Sequence, residues 1–243
     1  MPDLAVSVIV PAWNEARRLP RLLDALARCS PSPHEVIVVD GGSSDGTALV
    51  GRGRARVIPA DRGRARQQNA GARAATGAIH WFLHADSIPP PDAIGQIRSA
   101  LDHGAPGGCF RIAFPRDERR GHPLLRPVAC GVNARTRVTG TGTGDQGIYV
   151  RREIFDAVGG FPDWPLFEDV ALASRLKRFG RPAVSAGPLE TSARRWIGDG
   201  IVRTTLRMWA LRTGYLLGVP PSRLARHWRP APTDAACPGG RGL

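Results

Sequence analysis

The sequence predicts an α/β protein built on a doubly wound, mostly parallel sheet flanked by helices. Two observations lead to that class. Short apolar runs rich in β-branched residues recur through the first half, each followed by a stretch with helical spacing. The first of these runs is apolar at nearly every position rather than at alternate ones, as a strand covered on both faces requires. Right-handed crossovers would then bring the carboxyl ends of the strands to one edge, where ligands of such sheets bind.

The first strand is AVSVIV at 5–10. PAWNEARRLPRLLDALARC follows, with Asn14 placed to cap a helix and Glu15 to favour its positive end. Leu19, Leu22, Leu23 and Leu26 give that helix one apolar face. EVIVVDGG at 35–42 is the second strand, and SSDGTALV opens a helix on a serine cap. ARVIPA at 55–60 is a third, short strand; Asp61 then caps a polar helix over 62–75. IHWFLHAD at 79–86 is the fourth strand, and 91–102 a further helix. The second half is less regular. GGCFRIAF at 107–114 reads as a strand, 115–122 as a charged loop and 123–138 as a helix despite Pro127. VTGTGTGDQGIYV is a glycine-rich loop running into a strand. RREIFDAVGGF is a short helix closed by Gly159 and Gly160, and 167–180 a helix stopped at Gly180. Residues 190–217 read as one long helix with a basic face, and 229–243 as a disordered tail.

With 243 residues the chain can bury a substantial core. The formal charge is +13, which suits nucleic acid, an anionic membrane or phosphorylated ligands. The basic residues are scattered and all but Lys177 are arginine, a bias that often follows a GC-rich genome. Without a recognisable binding module, nucleic acid is not an expected partner. Cys29, Cys109, Cys130 and Cys237 form no CxxC pair, so neither a zinc ribbon nor a redox motif is indicated. The first residues lack a signal-peptide pattern, and no run reaches the roughly 18 apolar residues of a spanning helix. Cytoplasmic placement is the expectation. The segment WIGDGIVRTTLRMWALRTGYLL at 196–217 mixes arginines with Trp209, Tyr215 and leucines. It reads either as a core or dimer helix, the favoured reading, or as a helix in peripheral contact with the inner face of an anionic membrane.

Three predicted strands end in residues able to bind: 11–15, 40–43 and 84–86. Glu15 can accept from a ribose or base, or simply favour a helix start. Asp40 can accept from an imide N–H or a hydroxyl, or open a turn before two glycines. Asp86 can open a turn before the prolines, or hold a metal. Arg66 can reach a base or diphosphate, or lie on a solvated face. Further on, Glu168 and Asp169 are adjacent acids at a helix start, read as a general base pair or as charges stabilising that end. GTGDQG at 142–147 spells a dinucleotide fingerprint, but strand follows it where a helix should.

The runs SVIVPAWNEARRLPRLLDAL, EVIVVDGGSSDGT, GARAATGAIHWFLHADS and GDQGIYVRREIFDAVGGFPDWPLFEDVALASRLKRFG cover about residues 5–180 in order. Together they resemble a family 2 glycosyltransferase with the GT-A fold, most similar to the subgroup known as arsenosugar-biosynthesis-type glycosyltransferases. The resemblance implies a Rossmann-like, mostly parallel sheet with a C-terminal helical segment. It implies a GT-A domain over 1–188, with a nucleotide-sugar half to about 105 and an acceptor half from about 106, and helices over 189–228 packed on it. It implies inverting, metal-assisted transfer of a sugar from a nucleotide sugar, a UDP-sugar above all, to a hydroxyl acceptor. Pro11, Ala12, Asn14, Glu15, Asp40, Gly42, Arg66, Ala85 and Asp86 would then line the nucleotide. Asp86 would hold Mn²⁺ or Mg²⁺ in a DxD-type site in which His84 replaces the first acid. His84 would contact metal or ribose, or only pack. Asp169, with Glu168, would be the base. Asp145 and Gln146 would line the sugar or acceptor pocket. In SARRW, Arg194, Arg195 and Trp196 stand where relatives close over the diphosphate. The alternatives are a sugar-nucleotidyltransferase, which should carry a glycine-rich basic loop after the first strand, and a non-catalytic basic module.

Overall fold

The computed structural model describes residues 4–228; the expected disordered tail at 229–243 lies outside the described residues. The elements are β1 (Val6–Ala12), α1 (Leu19–Ala27), β2 (Glu35–Asp40), α2 (Thr47–Gly51), β3 (Arg56–Pro59), α3 (Arg64–Ala74), β4 (Ile79–Phe82), α4 (Ala93–Asp102) and β5 (Gly107–Ala113). Then come α5 (Arg116–Gly121), α6 (Leu125–Thr139), β6 (Tyr149–Arg151), α7 (Arg152–Ala157), α8 (Glu168–Leu176), β7 (Ala183–Glu190), α9 (Arg194–Asp199), α10 (Ile201–Leu216) and α11 (Pro221–Leu224). The strands form one seven-stranded sheet in the order β3-β2-β1-β4-β6-β5-β7. β6 runs antiparallel to both its neighbours; every other pair is parallel.

The continuous apolar strands are explained by the two faces of the sheet. Successive side chains of a strand point to opposite sides. Val6, Val8 and Val10 of β1 therefore meet Leu19, Leu22, Leu23 and Leu26 of α1 and Ile94, Ile97 and Leu101 of α4. Ile9 points the other way, toward Ala65 and Ala72 of α3, Phe155 of α7 and Leu172 of α8. The approach of α3 is close enough to require glycine: a Cβ on Gly71 would stand 2.4 Å from Ile9 Cγ2. A third cluster joins Ile112 and Phe114 to Leu125, Ala129, Ala193 and Trp196, seating α9 against β5 and α6.

Several local expectations are corrected. Helix α1 begins at Leu19, not after Asn14. Asn14 is no N-cap: it has φ 55°, and its Oδ1 accepts from Ser44 N–H at 2.9 Å. Thr47 N–H finds Asp45 Oδ1 at 3.0 Å, so an aspartate rather than a serine satisfies the start of α2. Asp61 caps nothing; Gly63 precedes α3 without a side-chain cap. The expected loop at 115–122 contains α5, with Asp117 and Glu118 at its positive end. Residues Ala183–Glu190 form an unforeseen strand, in which Gly187 and Pro188 are tolerated because β7 is an edge strand and a register shift lies opposite at Phe110 and Arg111. The long C-terminal helix is broken at Gly200, whose φ of 85° no α-helix accepts.

Candidate active site

The first part of the site is the shared end of β1 and β2. Ala12 and Asp40 are direct neighbours in the ladder, and Gly41 N–H continues it to Ala12 C=O at 2.9 Å. The turn after β1 has no helix to satisfy its amides. It takes them from the 43–47 loop instead: Asn14 N–H donates to Ser43 Oγ at 2.9 Å, Glu15 N–H to Thr47 Oγ1 at 2.9 Å and Ala16 N–H to Asp45 Oδ2 at 3.0 Å. Asp40 closes its own turn, its two oxygens accepting from Ser43 N–H at 3.3 and 3.1 Å. Gly42 has φ 80°, a conformation that favours glycine. Beside this edge the Arg62 guanidinium lies 3.4 Å from the ring centre of Trp13.

Beyond β4 the backbone leaves the sheet after Leu83 N–H has bonded to Ile9 C=O at 3.0 Å. His84, Ala85 and Asp86 follow, with Ala85 buried. Arg194, at the start of α9, joins two of the sequence-predicted acids. Its guanidinium is bidentate to Glu15, at 2.6 and 3.3 Å, and lies 3.2 Å from Asp86 Oδ2. Residues 15, 86 and 194, so far apart in the chain, are thus in direct contact. Burial pushes the Glu15 carboxyl above its usual range, although Arg194 pulls it down.

The acids of α8 differ in environment. Phe167, with φ 66°, turns the chain into α8 and sends the two successive side chains different ways. Glu168 is 2% exposed, and its partner is Arg64 of α3 at 3.2 Å. Burial raises the Glu168 pKa, against the pull of Arg64 and with a further push from Asp169. Asp169 is only partly buried. Its Oδ2 accepts from Gly144 N–H at 2.6 Å and its Oδ1 from Val170 N–H at 2.7 Å. Desolvation acts against the charge on Arg64 only in part, since its side chain is 41% exposed, and Glu168, Asp169, Asp145 and Asp86 together push its pKa up. Arg64 is therefore a fixed cation among four acids.

His84 stands against the same turn. A Cβ added to Gly144 would fall 2.9 Å from His84 Nε2 and 3.3 Å from Asp169 Oδ2. His84 Nε2 is buried without a hydrogen-bond partner. Burial, with Arg64, Arg194 and Arg195 nearby, pulls the imidazole pKa down to about 3. The ring is neutral and has a nitrogen to spare, which fits a metal donor. Among the described residues no three His, Cys, Asp or Glu side chains group as a metal cage. Asp86 and His84 alone would suit a divalent ion that draws its other ligands from phosphate and water.

The structure also corrects the predicted set. Gln146 cannot face a ligand: it is wholly buried, and both ends of its amide are occupied. Its Oε1 accepts from Thr136 Oγ1 at 2.9 Å and from Thr143 N–H at 3.1 Å, while its Nε2 donates to Phe110 C=O at 3.0 Å. Trp196 is a core residue packed on Phe114. Arg66 turns outward to an exposed pair with Asp163, 2.9 Å away. Arg195 stacks on Trp228 and is brought down to a pKa of about 10 by burial, Arg64 and Arg194, so it stays charged at neutral pH. Two residues escaped the sequence reading. Arg64 lies two positions from Arg66 in a helix with a weak apolar face, so its phase was not legible. Gln67, 4% exposed, donates to Ala12 C=O at 2.9 Å and Val39 C=O at 2.8 Å and so fixes the ends of β1 and β2. Its only signal was a polar residue on the helix face toward the sheet.

Residues 7–159 match the model of glycosyl transferase family 2. The chain is 29% identical over 170 residues to an undecaprenyl-phosphate 4-deoxy-4-formamido-L-arabinose transferase of Proteus mirabilis, covering 63% of this chain and 51% of that one. It is 35% identical over 184 residues to glycosyltransferase AglE of Haloferax volcanii, covering 65% and 56%. The matched stretch thus spans about half the length of these relatives. Among solved structures, S. aureus TarS 1-349 in complex with UDP superposes with a TM-score of 0.60 at 20% identity, over 77% of this chain and 60% of that one. Glucosyl-3-phosphoglycerate synthase from Mycobacterium tuberculosis, in complex with Mn²⁺, UDP and phosphoglyceric acid, gives 0.60 at 20% identity over 90% and 81%. These likenesses establish the GT-A fold.

Proposed function

The chain belongs to glycosyl transferase family 2, and on that premise we propose that it transfers a sugar from a UDP-sugar to an acceptor hydroxyl with inversion at the anomeric carbon. The observation that carries this reading is the division of labour at α8: Glu168 is buried against Arg64, while Asp169 keeps an accessible carboxylate oriented by Gly144 N–H. A base must touch the acceptor, and only the second acid is open to do so.

Asp169 takes the hydroxyl proton as the acceptor oxygen bonds to the anomeric carbon. The bond from that carbon to the phosphate oxygen breaks on the opposite face, and its electron pair leaves with the nucleoside diphosphate. Glu168 acts at one remove by holding Arg64. Pro11, Ala12, Asn14, Glu15, Asp40, Gly42 and Ala85 are the positions assigned to the nucleotide, with Asp145 assigned to the sugar or acceptor. Arg194 and Arg195 are cations suited to the diphosphate. Gln146 and Trp196 have no direct part, being spent inside the fold. Asp86, with His84 as second donor, would hold Mn²⁺ or Mg²⁺. When bound, that ion supplies Lewis-acid neutralisation of the leaving group. UDP in two structural neighbours, one of them also holding Mn²⁺, supports uridine and a divalent ion here.

The proposed division keeps a nucleotide half to about residue 105, an acceptor half over 106–188 and helices 189–228 that add Arg194. The motif spelling is similar to that of the arsenosugar-biosynthesis-type subgroup, a likeness that leaves the acceptor to be identified. Thermal unfolding with UDP, GDP or dTDP, each with and without Mn²⁺, tests the reading. UDP with Mn²⁺ should raise Tm; if none of the three nucleotides does so, the transferase reading loses its support. A screen of sugar nucleotides for metal-dependent hydrolysis then names the sugar.

A further inference from the structure

From Gly200 to Trp228 the sequence holds Arg203, Arg207, Arg212, Arg223 and Arg226 and not one Asp or Glu. Helix α10 lies within this stretch and has two apolar faces. The inner face is on the protein: Thr204 and Leu211 are buried, Met208 packs under Trp196 and Tyr215 on Phe167. The outer face carries Val202, Leu206, Trp209 and Leu216, which are 60, 66, 72 and 74% exposed, and Leu217 just beyond is 79% exposed. At about 100° per residue these five fall on one stripe opposite Leu211. Single exposed apolar residues are ordinary on a protein surface, whereas a contiguous stripe marks an interaction face. The expectation of a core helix therefore holds for only one side of α10.

Charge selects the occupant. A second copy of this chain would set arginines against arginines, and like charges across an interface are costly. The segment 229–243, RPAPTDAACPGGRGL, has no run of large apolar side chains with which to cover the stripe. An anionic bilayer complements both features. Leucines and valine enter the headgroup boundary, Trp209 suits the interface, and the exposed Arg203, Arg223 and Arg226 meet lipid phosphates. Among the described residues no helix is long and apolar enough to cross a membrane, so α10 would lie flat.

We infer that the outer face of α10 docks on an anionic lipid bilayer. The test is sedimentation of the full chain with phosphatidylcholine vesicles and with mixed phosphatidylcholine–phosphatidylglycerol vesicles, without donor or acceptor. The chain should pellet with the mixed vesicles only, and less so as salt rises. Leu206→Ser with Trp209→Ser should cut partitioning more than about tenfold. Arg203→Gln and Arg223→Gln should each cost about fivefold. Trp209→Phe should keep binding but lose its share of the quenching by brominated lipid. These positions are exposed, so melting temperatures and UDP binding should stay unchanged. That control, with no sugar transfer in the assay, separates failure here from failure of the transferase reading. Three outcomes overturn the inference: no pelleting with anionic vesicles, pelleting indifferent to Leu206 and Trp209, or a dimer in solution that the same two substitutions dissolve.

Discussion

Asp169 and Glu168 are chemically alike and adjacent, yet the fold gives them different surroundings. Asp169→Asn should lower turnover by roughly 10²–10⁴-fold, the usual contribution of a general base, and leave UDP binding intact. Lost nucleotide binding would reassign the residue. Asp86→Ala should abolish the Mn²⁺-dependent part of UDP affinity in calorimetry; an unchanged dependence on Mn²⁺ would refute its role. Gln146 makes the opposite prediction. It ties Phe110, Thr136 and Thr143 together inside the protein. Gln146→Ala should therefore cost about 2–3 kcal/mol in urea unfolding, because buried partners are left unpaired.

At the scale of elements, the short turn at Gly144–Gln146 links the site to the fold. Gly144 has no room for a side chain between His84 and Asp169. Gly144→Ala should displace both, lowering kcat on the order of 10²-fold while shifting Tm by only a few degrees. Retained kcat would show that Asp169 needs no such positioning. How far the elements were legible follows from the range of their interactions. β1 and β2 could be read because burial on both faces leaves most of their residues apolar. The acids at their ends could be read for the same reason, since parallel strands deliver their carboxyl ends to one edge. The 13–18 turn could not. Asn14 and Glu15 resemble cap residues, but the bonds that decide their conformation come from a loop some 30 residues on. β7 was hidden because Gly187 and Pro188 erase the strand pattern and only its edge position permits them. The choice of Arg64 over Arg66 depends on the roll of α3 against the sheet, which Gly71 and Gln67 set through contacts remote in sequence.

For the molecule as a whole, His80 offers a readout of global stability away from the site. It is 1% exposed, neither ring nitrogen has a partner, and it packs edge-on to Phe155. Burial, assisted by Arg152, lowers its pKa to about 4. An unfolded histidine takes up a proton near pH 6.5 and the buried one resists until about pH 4, so the unfolded state binds more protons between those values. The stability this residue contributes is thus complete above pH 6.5 and declines as the pH falls toward 4, by up to roughly 3 kcal/mol. His80→Leu should flatten that part of the curve relative to the unsubstituted chain in urea unfolding from pH 7 to 4.5. Parallel curves would mean that the imidazole is already solvated. The sheet order has a consequence for rebuilding the protein. β6, drawn from after residue 105, lies between β4 and β5 and opposes both. Its Tyr149 pairs with Trp81 on one side and Gly108 on the other, and its hydroxyl reaches Ser185 in β7 at 2.9 Å. A chimera spliced once near residue 105 would wedge a foreign strand beside a native one. Exchanging the stretch after residue 105 with that of a relative therefore means recutting the seam along β4 and β6.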